Sequence, residues 1–189
     1  MLGVTGAGKS HHVRSIVSRV AQSGGSVLVV DPKGEYSDLS PCSPLDLVPR
    51  LLAGDDLRLR TSPQWQSLDS LAEDVSLVLD SLRWRPPAAR PMLVVVEECG
   101  LLRGPARSSL EVLATVGRSY GVELVCVAQR ASQIPATVRA QASRIVAFRQ
   151  TLPADLEALS EVMGPSALDL RTLARYEFRA WSEGDAWSA

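Results

Sequence analysis

Gly3 to Ser10 reads GVTGAGKS, and the twenty residues behind it run HHVRSIVSRVAQSGGSVLVV to Val30. The octapeptide matches GxxxxGK[ST], a turn whose glycines let successive backbone N–H groups converge on phosphate oxygens at the mouth of a helix. The context that motif requires follows at once. Val13, Ile16, Val17 and Val20 recur at i, i+3, i+4 and i+7, the apolar face of a helix, and Ser23-Gly24-Gly25 closes it. Val27 to Val30 is then an unbroken apolar run ended by Asp31-Pro32, as expected of a strand buried on both faces. This pairing of loop and helix argues against a chance match in a glycine-rich turn. Gly3, Thr5, Gly6, Ala7, Gly8, Lys9 and Ser10 are therefore read as the cradle of a nucleotide triphosphate, ATP. Lys9 would reach the β- and γ-phosphates, and the Ser10 hydroxyl would ligate Mg²⁺. Only Met1 and Leu2 precede Gly3, so the strand expected to feed the loop is a stub, read here as a truncated first strand.

Working outward, Leu45–Leu52 reads as a short helix, Leu57–Arg60 as a short strand, and Leu68–Leu82 as a clear helix with Leu71, Val75, Val78, Leu79 and Leu82 inward. Arg85-Pro86-Pro87 stops that helix. Met92–Val96 is the next buried strand, followed by a helix over 106–119 with Leu110, Leu113 and Val116 as its seam. Val122–Ala128 and Ile145–Phe148 read as strands, 153–163 and 168–173 as helices, and Tyr176–Trp181 as an edge strand. Apolar strands alternating with helices predict an α/β fold, a mostly parallel sheet with helices on both faces. No repeat or linker breaks the chain, so 1–189 is expected to form a single domain.

Composition sets the bounds. The chain has 189 residues, 46% of them hydrophobic and 22% charged, with a net charge of −1. Those values exclude a disordered tail, a collagen-like fibre and a polybasic binder. Of the 20 basic residues only Lys9 and Lys33 are lysines. The rest are arginines, permanent charges suited to phosphate contact. Arg83, Arg85 and Arg90 form a local basic group, read either as a nucleic-acid contact or as a solvated helix end. Cys42, Cys99 and Cys126 make no metal-binding spacing, and an odd count argues for a reducing compartment. No apolar run reaches the ~20 residues of a membrane span. Cytoplasmic residence is expected, in a host cytoplasm if the source is viral.

Two further elements carry chemistry. The strand Leu93–Val96 ends in Glu97-Glu98. A carboxylate at such a strand end can help hold Mg²⁺, and a second beside it can act as general base on water. Glu97 is given the metal role, shared with Ser10, and Glu98 the base. The strand ending Val127-Ala128 delivers Gln129 to the same crevice, where it could sense the γ-phosphate or orient water.

DPKGEY at 31–36, VVVEE at 94–98, GRSYGVELVCVAQR at 117–130 and IPATVRAQASRIVAFR at 134–149 stand in order behind the phosphate loop. Together, over roughly residues 3–163, they resemble the HerA/FtsK superfamily of P-loop ATPases, which includes DNA translocases, conjugative coupling ATPases and viral genome-packaging ATPases. The resemblance implies a RecA-like P-loop NTPase core working as a ring, usually a hexamer, with ATP sites between subunits. It also implies an arginine supplied in trans, placed by motif position at Arg118, with Arg139 and Arg144 as alternatives. Glu97 departs from the more usual Asp. Neither the barrel of HerA-type enzymes nor the winged helix of FtsK-type enzymes is recognisable, so sequence-independent contact with double-stranded DNA is expected, through phosphates rather than base edges.

The expected function is an ATP-driven DNA translocase, a genome-packaging or DNA-transfer motor. Two other classes stay open: a nucleotide-gated assembly or recruitment subunit with little turnover, and a small P-loop kinase, which the paired glutamates disfavour. Tail residues 164–189 hold Trp181 and Trp187, read as packing on the core, or else as docking a partner.

Overall fold

A computed structural model describes residues 1–61, 68–86 and 89–182; the side chains of 68–71 fall outside that description, so the assignments made above to Leu71, Pro87 and Trp187 lie outside it. Helix α1 spans Lys9–Gln22 and leads to strand β1, Ser26–Val30. The two-residue strand β2, Ser40–Pro41, precedes helix α2, Pro44–Ala53. The Ser43 side chain caps α2 by accepting from the Asp46 N–H at 3.1 Å, Pro44 opens it, and Gly54 at φ 77° ends it. Strand β3 (Arg58–Thr61) and helix α3 (Leu68–Ser81) follow, then β4 (Met92–Val96), α4 (Gly104–Val116) and β5 (Val122–Cys126). The short helix α5 (Ala136–Ala140), β6 (Arg144–Phe148), α6 (Pro153–Met163) and β7 (Phe178–Ser182) complete the described chain.

Five strands form one parallel sheet in the order β2-β3-β1-β4-β5. Strands β6 and β7 pair antiparallel. Leu2 joins the two sheets by parallel bridges to Ala128 and Ala147. Its N–H donates to the Val146 carbonyl at 3.0 Å, its carbonyl accepts from Phe148 N–H at 2.8 Å, and the Met1 carbonyl accepts from Ala128 N–H at 3.0 Å. One buried leucine thus sets the phosphate loop between β5 and β6.

Because strand side chains alternate between faces, Val27, Val29, Leu93 and Val95 turn to α1 and pack with Val13 and Val17. Leu28, Val30, Val94 and Val96 turn the other way, onto Leu47 of α2, Val78 of α3, Leu110 of α4 and Leu159 of α6. Helices cover both faces, as the pattern predicts, with α1 on one side and α2, α3, α4 and α6 on the other.

The boundaries need correction in several places. The helix expected to run to residue 119 ends at Val116, and Gly117–Tyr120 winds as a tight 3₁₀ turn closed by Gly121 at φ 66°. Residues 164–171 are likewise 3₁₀ rather than α, and β7 begins at Phe178 rather than Tyr176. Not every strand is apolar and buried. Strand β3 alternates, β5 is half-exposed beyond Val122, and the edge strand β7 is largely open. These lie toward or at sheet edges or the Leu2 seam, where one flank lacks a full-length neighbour.

Arg83, Arg85 and Arg90 do not form a free basic surface. Arg85 is buried and its guanidinium donates to the Arg90 carbonyl at 2.8 Å, Arg83 pairs with Asp80 at 2.8 Å, and Arg90 meets Asp56 at 3.5 Å. Burial lowers the Arg85 pKa. The three cysteines are free thiols, and among the described residues no helix is long and apolar enough to cross a membrane.

Candidate functional site

Polar groups follow the carboxyl ends of four strands: Asp31 after β1, the Glu97-Glu98 pair after β4, Gln129 after β5 and Gln150 after β6. Ligands bind at this edge of parallel sheets because the strand order reverses there and the loops part. The loop itself is shaped by glycine. Gly8 caps α1 at φ 113°, a conformation side chains rarely adopt, and a Cβ there would lie 2.8 Å from Tyr176 Cδ1. At Gly3 a Cβ would come within 2.6 Å of the Phe148 Cβ. No side chain caps α1 and no acidic residue occupies its first turn, which leaves the positive helix end available to an anion.

Lys9 is buried, and its ammonium donates to the Gly3 carbonyl at 2.5 Å and the Val4 carbonyl at 3.2 Å. Burial lowers its pKa, opposed by the nearby charges of Glu98 and Glu97. Ser10 follows it on the first turn of α1.

Glu98 sits at φ 51°, a left-handed conformation that turns its carboxylate into the crevice. There it pairs with Lys33, and Gln129 Nε2 donates to it at 3.1 Å. Thr5 Oγ1 donates in turn to Gln129 Oε1 at 3.1 Å, so loop, sensor strand and carboxylate are chained by hydrogen bonds. Gln129 is fixed from behind: Gln150, itself buried, donates to its carbonyl at 3.3 Å. A cleft of about 240 Å³ opens beside this chain, lined by Thr5, Gln129, Arg130, Gln150 and Asp155 among others.

Glu97 lies deeper. It is buried, and the Tyr36 hydroxyl donates to its Oε1 at 2.5 Å. Burial raises the Glu97 pKa, with the Tyr36 bond pulling the other way; burial and the Glu97 charge push the Tyr36 hydroxyl far up. A carboxyl whose folded pKa is raised favours folding at pH values below its unfolded pKa, and loses that contribution as pH rises through the folded value. Glu97→Gln, which keeps an oxygen for Tyr36 and removes the charge, should therefore raise Tm at pH 7 by roughly 2–4 °C, the yield of about 1 kcal/mol in a domain of this size. The gain should vanish in acid. Calorimetry at two pH values checks it, and an unchanged or lower Tm at pH 7 would show that burial of the charge costs nothing.

The structure thus brings Thr5, Lys9, Glu97, Glu98 and Gln129 together. Arg118 is exposed, in the turn before β5 at the opposite end of that strand from the loop. Arg144 is exposed at the start of β6, while Arg139 is spent internally, donating to the Ile134 carbonyl at 2.7 Å and pairing with Glu161 at 2.9 Å. Sequence reasoning gave no role to Lys33, Tyr36 or Asp31, although DPKGEY contains all three. Asp31 accepts from the Glu35 and Tyr36 N–H groups, each at 3.0 Å, and so folds that turn toward Glu97. Nor did it find Arg175 and Tyr176, which pack on the loop from the far end of the chain.

The family model "Helicase HerA, central domain" matches residues 1–84. No curated protein matches the sequence. Solved structures agree over nearly the whole chain. The genome packaging NTPase of Sulfolobus turreted icosahedral virus 2, in complex with AMPPCP, has a TM-score of 0.76 at 15% identity, over 96% of this chain and 89% of that one. The bacterial conjugative coupling protein TrwBdeltaN70 gives 0.71 at 14%, covering 97% and 82%, and VirB4 of Thermoanaerobacter pseudethanolicus gives 0.71 at 14%, covering 96% and 86%. Residues 1–84 are thus similar to the HerA central domain, and the described chain has the RecA-like P-loop NTPase fold that these structures share.

Proposed function

We propose that this chain binds ATP at residues 3–10 and hydrolyses it, as the motor core of a ring that moves double-stranded DNA without reading its sequence. The observation that carries the hydrolytic reading is the chain of contacts from Thr5 through Gln129 to Glu98, which sets a carboxylate and an amide beside the loop. The uncapped α1 terminus and the Lys9 ammonium would take the phosphates. The donors offered to a metal are the Ser10 hydroxyl and the Glu97 carboxylate, hard oxygens of the kind Mg²⁺ takes together with phosphates and water. When bound, Mg²⁺ would neutralise charge on the β- and γ-oxygens.

In the proposed step Gln129 orients a water and Glu98 takes its proton as the oxygen attacks the γ-phosphorus. The bond to the β–γ bridging oxygen breaks, leaving ADP and inorganic phosphate. Arg118 would act on a neighbouring subunit's site, consistent with its distance from its own, and a head-to-tail ring is the geometry that permits this. DNA transport is supported by the named activities of the similar structures, packaging and conjugative coupling.

The test is ATP hydrolysis with and without long double-stranded DNA at low and moderate salt. Stimulation by DNA that weakens with salt is expected, because phosphate contacts release counterions. A rate indifferent to DNA at both salts would overturn the motor reading. It would favour the nucleotide-gated subunit instead, for which the pairing of Lys33 with Glu98 is the supporting observation.

A further inference from the structure

The two ends of the phosphate loop are lined differently. At Thr5 stand Gln129 and Glu98, the groups suited to the γ-phosphate. At Ala7 and Gly8 stand aromatic rings contributed by the last part of the chain. Tyr176 N–H donates to the Ala7 carbonyl at 3.1 Å, and Arg175 Nε donates to the Gly6 carbonyl at 3.3 Å. The turn that carries them is closed twice: Glu177 N–H donates to the Ala174 carbonyl at 3.2 Å, and Ala174 N–H to the Glu177 carboxylate at 2.7 Å. Tyr176 is held at φ 70°, an unfavourable conformation for a bulky residue.

That outlay does not bury the ring. Tyr176 remains 57% exposed although its edge rests over Gly8, and the Arg175 guanidinium lies 4.8 Å from its centroid. Phe178, 39% exposed, continues the surface, 5.2 Å from His12 on α1 and 5.6 Å from Phe148. A triphosphate lying in the loop with its γ end at Thr5 leads its α-phosphate, ribose and base out past Gly8 and the first turn of α1. The exposed rings stand at that exit. Flat aromatic surfaces take nucleobases by stacking, and an arginine beside them adds a cationic contact.

We propose that the Arg175–Tyr176 turn is the nucleoside platform of this site, with Tyr176 stacking on the base. The proposal rests on the reading of residues 3–10 as the phosphate cradle, and it assigns nucleoside recognition to a segment that folds back across the whole chain. Preference for a nucleotide over bare polyphosphate is then made by the C-terminal turn, not by the loop.

The test is calorimetric titration of the intact chain with ADP and with base-free pyrophosphate, both in Mg²⁺. Wild type should bind ADP more tightly than pyrophosphate. Tyr176→Asn, which tolerates the left-handed backbone but has no ring, should weaken ADP roughly tenfold, the loss expected for one stacked base, and leave pyrophosphate unchanged. Tyr176→Phe should bind both ligands as wild type does. Equal loss on both ligands would show a turn that only props the loop, and an unaltered ADP affinity would show no stacking; either overturns the platform while leaving the cradle intact. Wild type that binds neither ligand would overturn the cradle itself and the platform with it.

Discussion

Replacing Glu98 with Gln should cut the rate of ATP hydrolysis by about 10²–10⁴-fold, the usual yield of a positioned general base, while leaving ATP affinity within a factor of a few. The amide keeps an oxygen to accept from Gln129 Nε2, now at 3.1 Å, so the contact chain to Thr5 persists and only proton acceptance is lost. Glu97→Gln gives the contrast. Glu97 is held against Tyr36 and away from Gln129, so its loss should raise the Mg²⁺ concentration needed for half-maximal hydrolysis, a change that Glu98→Gln should not cause. Single-turnover hydrolysis with a Mg²⁺ titration separates them. A Glu98→Gln rate within threefold of wild type would remove Glu98 as the base, and a Mg²⁺ shift in that variant would exchange the two roles.

Lys9→Ala should weaken ATP binding by about 10²–10³-fold, with hydrolysis lost in proportion. Two hydrogen bonds from a charged donor are worth roughly 1.5–3 kcal/mol each, and every 1.4 kcal/mol is tenfold in affinity. The fold should survive. Burial depresses the Lys9 pKa, and a base with a depressed folded pKa costs stability while it is charged, that is, at pH values below that folded pKa. Removing it relieves that cost, set against the two bonds it makes to the Gly3 and Val4 carbonyls. A Tm within a few degrees of wild type, beside lost binding, is the expected pair of results. Retained ATP affinity would mean that the loop does not hold phosphates through this lysine.

Much of the fold was legible because the local signals agreed. The i, i+3, i+4, i+7 valines of α1 and the unbroken apolar runs of β1 and β4 can be satisfied only by a helix against a doubly covered parallel sheet, and the structure has both. Helix and strand ends were less legible. The 3₁₀ turn at Gly117–Tyr120 looks helical by composition, and the alternation in β3 reflects its neighbours, which no local window contains.

The site divides in the same way. GVTGAGKS, Glu97-Glu98 and Gln129 announce themselves because phosphate loops and strand-end polar residues are local patterns with a mechanism behind them. Glu97-Glu98 and Gln129 follow neighbouring strands of the parallel sheet, β4 and β5, and so stand at the same edge of it. What lies between them was decided by tertiary structure. Only the packing of DPKGEY against β4 sends Tyr36 to Glu97 and Lys33 to Glu98, giving two adjacent carboxylates different burial and different partners. Only the return of the chain through β6 and β7 brings Tyr176, 168 positions beyond Gly8, onto the phosphate loop. A sequence states which groups a chain carries and which local shapes they favour. Which of them meet depends on how separate elements share one core, and contacts between distant residues leave no periodicity to read.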